Sequence, residues 1–341
     1  MEHNILIIGG NGLVGKTIAR ILQTRNPHLN IFIGGRKGGN KGRDLKINVT
    51  DPSTFQVIKD QNINLIILSV NDKSDHILKY AIANHIDYLD ITKPTPALVK
   101  AYNITEKSEI NSRIVFSSGW MGGIVPGLAN TLSENPDDIK GVKLFVYYSV
   151  KDLAGESSAH FMAENVAVPF HDYKNDRPHS IRHFLDTETF DFSFGIGKRS
   201  AYNFDVPDLY ILNRTERIPN VSVKMTYSSK WITWLLGSFQ YIRLFDILSL
   251  KTRQQIFSAS GNGDQSVFEI IVQDQYELKK LSLQSTKGQA ELTALSAVLH
   301  TEELLRNPHE HNVYFSHQLH EPLSLLAQLN AYETININIT Q

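Results

Sequence analysis

The sequence predicts an α/β fold in which a doubly wound parallel sheet is followed by an α+β domain with a mixed or antiparallel sheet. Up to residue 117, apolar strands alternate with helical stretches, which is the pattern of parallel strands joined by crossover helices. A glycine-rich turn connects the first strand to the first helix. Past Pro126, strands follow one another with few helices between them, which favours an α+β arrangement.

Six strands are predicted in the first domain, which we assign to residues 1–130. They lie at residues 5–8, 30–33, 45–49, 65–70, 88–91 and 113–117, and helices begin near residues 16, 51, 74 and 96. Ligands of a doubly wound sheet bind beyond the carboxyl ends of its strands. The turns that begin at Gly9, Gly34, Ser69, Asp90 and Ser118 are therefore the expected binding positions.

The second domain is assigned to residues 131–307. Its predicted strands lie at residues 142–150, 221–227, 267–273 and 278–285, the last two as an antiparallel pair, and its helices at 157–165 and 289–306. A further helix is predicted at residues 321–330.

Composition excludes several classes of protein. A chain of 341 residues holds roughly two domains, and a net charge of -1 argues against a general nucleic-acid binder. The absence of cysteine excludes disulfides, thiolate catalysis and iron–sulfur clusters. Without a cysteine or a helical His-x-x-x-His pattern, we assign no metal site to the histidines at positions 309, 311, 317 and 320. The first strand leaves no room for a signal peptide, so we expect a cytoplasmic protein.

The turn after the first strand has the sequence GGNGLVG, residues 9–15. A buried strand, a glycine-rich turn and a helix N-terminus together form a cradle for phosphate. Gly9 permits the tight turn, Gly12 lets the backbone approach a pyrophosphate, and Gly15 lets the helix pack on the strand. This pattern predicts a dinucleotide site, and the alternative is a structural turn in another kind of α/β protein.

The end of the second strand indicates which dinucleotide is bound. It has the sequence GGRKGG, residues 34–39, and no acidic residue occurs from His3 to Arg43. An acidic residue at this position binds the ribose of NAD, whereas basic residues pair with the 2′-phosphate of NADP. We therefore predict NADP, and the alternative is a solvated loop that is basic by chance. The basic residues of the loop are Arg36, Lys37, Lys41 and Arg43. The predicted cofactor residues are Gly9, Asn11, Gly12, Leu13, Val14, Gly35, Arg36, Lys37, Asp51, Ser69, Val70 and Asn71.

Five motifs in this order resemble the saccharopine dehydrogenase-like family of NADP-binding oxidoreductases. They are the GGNGLVG turn, the GGRKGG strand end, AIANHIDYLDIT (81–92), SSGWMGGIVPGLANTL (117–132) and TKGQAELTALSAVLHTEELLRN (286–307). The resemblance is weakest from about residue 172 to residue 260. It implies a Rossmann domain, an α+β domain whose sheet often forms a homodimer, and a C-terminal segment, residues 308–341, that returns to the first domain. It also implies reduction of an imine between an amine and a carbonyl compound, although many members have no known substrate.

The strand end YLDITK supplies three candidates for catalysis. Alternation along the strand places Tyr88 and Asp90 on one face, and Lys93 follows just past the strand. Lys93 is expected to donate a proton or to hold a substrate carboxylate. In the structural alternative, Asp90 caps the following turn and Lys93 is solvated.

Two further segments are assigned to the substrate. In GWMGG (119–123), Trp120 is expected to line the pocket and Gly122 to allow close approach of a ligand, with core packing of Trp120 as the alternative. AGESSAH (154–160) resembles the helix start that faces the cleft in the family. Backbone N–H groups at Gly155 and Ser157 are expected to bind an anionic group, and His160 to act as acid or base. A plain N-cap at Ser157 and a packed or surface His160 are the alternatives.

Residues 231–250 form an apolar stretch long enough to span a bilayer. Arg243 and Asp246 lie within it and Gly237 with Ser238 interrupts it, which argues against insertion. We expect burial in the core, under a lid or at a dimer face. Peripheral attachment to a membrane and an apolar substrate tunnel are the alternatives.

Together these features predict an NADPH-dependent reductase that acts on an imine or carbonyl of a small amine- or carboxylate-bearing metabolite. Two rivals stay open: an NADP-binding sensor or interaction protein without chemistry, and a reductase of an apolar, lipid-like substrate.

Overall fold

The computed structural model describes residues 3–38, 42–152, 156–258, 261 and 263–340. The chain divides into two compact units. The first comprises Met1–Gly123 and Thr293–His320, and the second comprises Ile124–Leu292 and Glu321–Gln341.

The first part of the chain alternates strands and helices. In chain order the elements are β1 (Asn4–Ile8), α1 (Leu13–Arg25), β2 (Asn30–Gly35), β3 (Asp44–Lys46), α2 (Gln56–Asp60), β4 (Leu65–Leu68), α3 (His76–Ala83), β5 (Asp87–Asp90), α4 (Thr95–Thr105) and β6 (Ile114–Phe116). A 3₁₀ turn, Pro52–Phe55, precedes α2.

The rest of the chain is richer in strands. Its elements are α5 (Val125–Asn130), β7 (Gly141–Tyr148), α6 (Glu156–Asn165), β8 (Phe170–Lys174), β9 (Arg177–Ile181), β10 (Glu188–Phe192), β11 (Gly197–Asn203), α7 (Pro207–Arg214), β12 (Asn220–Tyr227), α8 (Lys230–Tyr241), α9 (Leu244–Ile247), α10 (Leu250–Phe257), β13 (Ser266–Gln273), β14 (Leu278–Ser285), α11 (Gln289–Arg306), β15 (Val313–Phe315), α12 (Pro322–Asn330) and β16 (Ile335–Thr340). Short 3₁₀ turns lie at Pro136–Asp138 and Ser316–Leu319.

The sheet of the first unit is parallel and doubly wound, as predicted. Its strand order is β15-β6-β5-β4-β1-β2-β3, and each adjacent pair is parallel. The chain winds outward from β1 through β2 to β3 and then crosses back to place β4 on the other side of β1. This reversal creates a switch point at the carboxyl ends of β1 and β4, where ligands of such sheets bind.

The core of the first unit explains this arrangement. Ile5 and Ile7 of β1 are fully buried in one apolar cluster with Leu65 and Ile67 of β4. Helix α1 covers the cluster with Ile18 and Leu22. Strands that are apolar along their whole length fit a sheet covered by helices.

A seventh strand completes the sheet from a distant part of the chain. Strand β15 pairs in parallel with β6, with Tyr314 opposite Val115. The sequence predicts six strands in the first domain and assigns the helix 289–306 to the second domain. Instead, α11 enters the core of the first unit through Ala294, Ala297 and Val298. The predicted C-terminal segment is also divided, because residues from Glu321 onward belong to the second unit.

The second unit contains a nine-stranded mixed sheet, which confirms the predicted α+β class. The main path is β10-β11-β12-β7-β13-β14-β16, and β8 pairs with both β12 and β9. Strands β12 and β7 are parallel, and β13 and β14 form the predicted antiparallel pair. The sequence predicts no strands between residues 170 and 203, where the structure has β8 to β11.

The apolar stretch 231–250 is not buried in the core of this chain, so core burial, one of the three expected placements, is wrong. It forms α8 and α9 and reaches the start of α10, and many of its apolar side chains face outward. Among the described residues, no helix is both long and apolar enough to cross a membrane.

Candidate active site

The glycine-rich turn lies at the switch point of the parallel sheet. Gly9 has a φ of +87°, and a Cβ placed on it would lie 2.8 Å from Ser69 Oγ. A Cβ on Gly15 would lie 2.4 Å from the carbonyl oxygen of Gly9. Both positions therefore require glycine, because any side chain would displace the turn from the strand ends.

Helix α1 begins directly after this turn with a free N-terminus. Gly12 occupies the N-cap position, where it offers no side chain to the first N–H groups, and no acidic residue lies in the first turn. Gly12 N–H donates to Gly9 O at 2.8 Å, and Lys16 N–H donates to Gly12 O at 2.9 Å. The N–H groups of Leu13 and Val14 precede the first intrahelical donor, so they are available to an anion.

The basic residues that follow β2 stand at the same edge of the sheet. Arg36 and Lys37 are exposed, and neither side chain bonds to another described residue. Arg43 is engaged elsewhere, since its guanidinium donates to Asn30 Oδ1 at 2.7 Å. Lys41 lies outside the described residues. Arg36 and Lys37 therefore remain free to pair with an anionic ligand.

The other predicted cofactor residues occupy three places. Asn11 lies beside the end of β2, with its Nδ2 atom 3.5 Å from the position of a Cβ on Gly35. Ser69 continues β4 and donates from Oγ to Ile8 O at 2.9 Å, with Val70 and Asn71 following. Asp51 has a structural role, because it accepts from Ser53 N–H and so caps the 3₁₀ turn.

The three catalytic candidates at the end of β5 lie together in a buried ionic cluster. Tyr88 Oη donates to Asp90 Oδ2 at 2.6 Å, which shows that the two side chains share a face of the strand. Lys93 Nζ lies 3.3 Å from Asp90 Oδ2 and 2.7 Å from Asp75 Oδ1. Asp90 also caps the turn, since its Oδ1 accepts from Thr92 N–H at 2.9 Å.

Charge stabilises this cluster despite its burial. Burial lowers the pKa of Lys93, but the Asp90 carboxylate and the hydrogen bond to Asp75 outweigh that effect, so the pKa is raised and the ammonium is retained. Burial, followed by the charge of Asp90, raises the pKa of Tyr88 well above its usual value. Tyr88 therefore stays protonated and donates its hydrogen bond to Asp90.

Two members of the cluster were missed by the sequence analysis. Asp75 begins α3 with a φ of +56° and also pairs with Lys100 Nζ at 2.9 Å. Asp72 accepts from Ile77 N–H at 2.8 Å. Both acids follow the end of β4 in the sequence NDKSD, and their position beside a strand end was the available signal.

The glycines of the GWMGG loop approach protein rather than open space. Gly122 has a φ of +60°, and a Cβ on it would lie 2.3 Å from Ser296 Cβ in α11. Close packing of α11 thus accounts for this glycine without a ligand. Trp120 is almost entirely buried, at 9% exposure.

A buried histidine pair holds the same loop. His300 Nε2 lies 2.6 Å from Gly122 O and donates to it, which leaves His300 Nδ1 to accept from His320 Nε2 at 2.8 Å. Burial lowers the pKa of His300 to about 3 and that of His320 to about 4, so both rings are neutral. Within the described ranges, no three histidine, aspartate or glutamate side chains are grouped to bind a metal ion.

Of the candidates in the second unit, Ser157 and His160 lie on α6. His160 is half-exposed, and its Nε2 lies 3.2 Å from Glu164 Oε1, one turn further along the helix. Gly155 and the side chain of Ser157 lie outside the described part of the chain. The anion-binding role predicted for this helix start stays a prediction.

Comparison with known proteins finds similar solved structures. No family model and no curated protein matches the chain. C. glutamicum DAP dehydrogenase in complex with DAP aligns at 11% identity and a TM-score of 0.48, covering 97% of this chain and 99% of that one. An engineered D-amino acid dehydrogenase bound to NADP+ aligns at 10% identity and a TM-score of 0.47, covering 98% of this chain and 100% of that one.

A third similar structure is the dipicolinate-bound dihydrodipicolinate reductase from Paenisporosarcina sp. TG-14. It aligns at 9% identity and a TM-score of 0.44, covering 93% of this chain and 99% of that one. All three are named as a dehydrogenase or a reductase. The assignment of the fold rests on the strand order and crossover connections of the chain itself.

Proposed function

We propose that this chain is an NADPH-dependent oxidoreductase of the saccharopine dehydrogenase-like type. It transfers a hydride to an imine or carbonyl carbon of a small amine- or carboxylate-bearing metabolite. The observation that carries the proposal is the uncapped N-terminus of α1 at the switch point, with Arg36 and Lys37 exposed at the end of the neighbouring strand.

The residues present fit a phosphorylated dinucleotide. Leu13 and Val14 direct backbone N–H groups toward a pyrophosphate, and the glycines at positions 9 and 15 keep that turn clear of side chains. Arg36 and Lys37 hold a 2′-phosphate, since no acidic residue occurs from His3 to Arg43 to repel it. The nicotinamide supplies the hydride when the cofactor is bound.

The buried cluster orders the strand ends that would face the nicotinamide. Lys93 links the turn after β5 to Asp75 in the turn after β4. Because Tyr88, Asp90 and Lys93 are all buried, we assign them to positioning of these turns. His160, which is half-exposed, remains the candidate for proton transfer, and Trp120 remains the candidate for the pocket wall. We also retain the homodimer and the cytoplasmic location as proposals.

Burial of the ionic cluster at the end of β5 favours a second candidate function. An NADP-binding sensor needs the phosphate cradle but no accessible proton donor, and the side chains of Asp90 and Lys93 are both at most 2% exposed. In that case the chain binds NADPH without oxidising it.

Two measurements test the proposal in sequence. Calorimetry with NADPH and NADH tests the cofactor, and absence of binding by either would refute both candidates. Stopped assays of NADPH oxidation with paired amines and carbonyl compounds then test the chemistry. Turnover with at least one pair supports the oxidoreductase, whereas tight NADPH binding with no turnover across the panel identifies the sensor.

A further inference from the structure

Helix α8 presents most of its large apolar side chains to solvent, and its buried positions are Thr233, Leu236, Gly237 and Gln240. Thr233 and Gln240 face inward and are buried, Thr233 accepting from Tyr227 N–H at 3.0 Å and Gln240 donating to Val166 O at 3.2 Å. Trp231 and Tyr241, by contrast, are 77% and 81% exposed. In the usual amphipathic helix the apolar stripe faces the core, whereas on α8 both tryptophans lie on the solvent side.

The exposed apolar residues of this segment follow one another closely along the chain, and we call them together the apolar face. On α8 its members follow helical spacing, and it continues along the chain into α9 and the start of α10. It consists of Trp231, Ile232, Trp234, Leu235, Tyr241, Ile242, Ile247 and Leu250, each at least 40% exposed. The rings of Trp231 and Trp234 meet edge to face, with centroids 5.7 Å apart. Exposed apolar patches of this kind mark interaction sites.

The charges around the apolar face are positive. Lys230, Arg243 and Lys251 are exposed, and Asp246 is the single acidic residue between positions 228 and 258. Asp246 is already paired, since Arg182 Nη1 lies 3.1 Å from its Oδ1. Residues 228–258 therefore carry a net positive charge, and contact between two copies of this segment would bring like charges together.

We propose that the apolar face docks on an anionic lipid bilayer. Exposed tryptophan and tyrosine beside lysine and arginine is the composition of helices that lie in the plane of a membrane interface. With α8 at 12 residues, or roughly 18 Å, the element is suited to lie on the surface rather than to cross it. Anionic headgroups match the three exposed cations, and the indole rings enter the headgroup region.

Vesicle flotation with the full-length protein tests this proposal. Vesicles of phosphatidylglycerol and phosphatidylcholine are compared with vesicles of phosphatidylcholine alone, at low and high salt. Binding is expected to the anionic vesicles and to weaken with salt, because the Debye length shortens. Replacing Trp231→Ser and Trp234→Ser together is expected to lower the partition coefficient by about tenfold or more. Replacing Lys230→Glu and Lys251→Glu is expected to abolish the preference for anionic lipid.

A matched control uses exposed apolar residues elsewhere on the chain. Tyr276 and Leu323 are 82% and 62% exposed, and replacing both with serine is expected to leave vesicle binding unchanged. Thermal unfolding of each variant shows that the fold is retained. Absence of vesicle binding by the wild type overturns the proposal, as does equal loss in the control.

Sedimentation velocity tests the main competing explanation, which is self-association of the protein through the apolar face. If the wild type forms an oligomer that the tryptophan double variant dissociates, and the wild type does not float with vesicles, a second copy covers the face and the proposal is wrong. Cofactor binding is measured separately, so the two proposals fail independently.

Discussion

The Lys93 ammonium lies 2.7 Å from Asp75 Oδ1, and both side chains are about 2% exposed. The two residues follow different strands, since Asp75 comes after β4 and Lys93 after β5. Their ion pair therefore joins two turns at the carboxyl edge of the parallel sheet. Lys100 pairs with the other oxygen of Asp75, and Tyr88, which is neutral, donates a hydrogen bond to Asp90.

Removing the buried Lys93 ammonium is expected to lower the free energy of unfolding substantially. Lys93→Met leaves Asp75 and Asp90 buried without their shared partner, and such changes cost about 3–5 kcal/mol. Lys100→Met provides the control, since Lys100 is 56% exposed and its removal is expected to cost at most about 1 kcal/mol. Urea denaturation measures the free energy of unfolding of both variants. Equal decreases would show that the buried Lys93 ion pairs stabilise the fold no more than the exposed Lys100 pair does.

The basic loop is expected to determine cofactor preference. Arg36→Ala removes charge-assisted hydrogen bonds to the 2′-phosphate, so the Kd for NADPH is expected to rise about tenfold to a hundredfold while that for NADH is unchanged. Arg43→Ala is the matched control, because its guanidinium is held by Asn30. Isothermal titration measures both cofactors, and equal weakening of NADPH and NADH binding by Arg36→Ala contradicts the assigned role.

Two substitutions in the glycine-rich turn are expected to distinguish an effect on stability from an effect on cofactor binding. Gly15→Ala places a Cβ 2.4 Å from Gly9 O and is expected to lower stability by about 1–3 kcal/mol. Gly12→Ala meets only Gly9 O, at 3.2 Å, so the fold is expected to persist while NADPH binding weakens. Unfolding and calorimetry are measured on each variant. Unchanged affinity in the folded Gly12→Ala variant would exclude pyrophosphate binding at this turn.

The buried histidine pair is expected to make the protein acid-labile. The pKa of His300 falls to about 3 on burial from its usual 6.5, so between those values the unfolded chain binds more protons than the folded one. Stability is therefore lost as the pH falls below 6.5, by about 1.4 kcal/mol per pH unit for this residue.

Replacing His300→Gln keeps a donor and an acceptor but removes the titration, so stability is expected to depend less steeply on pH in this range. Denaturant unfolding at successive pH values measures the slope. His183, whose pKa burial also lowers to about 3, provides an independent variant, His183→Gln, with the same expected effect. A wild-type slope in the His300→Gln protein would show that the ring does not titrate on unfolding.

Much of the fold was predictable because its signals are local. The fully apolar run at residues 65–68 identified a central parallel strand, and the predicted helix 289–306 coincides with α11. The pairing of Tyr88 with Asp90 followed from the two-residue period of a strand. In these cases, sequence neighbours alone determine the pattern.

The remainder depends on contacts between distant residues. Burial of Lys93 requires Asp75, 18 positions earlier, and no local pattern distinguishes a buried lysine from a solvated one. Likewise, Gly122 is fixed by Ser296 in α11, so the proximity of the glycine loop to a helix was not visible in the sequence. Composition alone did not distinguish core burial from an outward face for α8, whose inward positions are taken by Thr233, Leu236, Gly237 and Gln240.

The parallel pairing of β15 with β6 also delays completion of the first sheet during translation. About 200 residues separate the two strands, which a ribosome adds in roughly 10 to 40 s. During that interval the outer edge of β6 has no neighbouring strand, and the core positions that Ala294 and Val298 occupy in the folded protein are unfilled. Translation order and folding order thus diverge, because the parallel sheet of the first unit is complete only after residues 313–315 emerge.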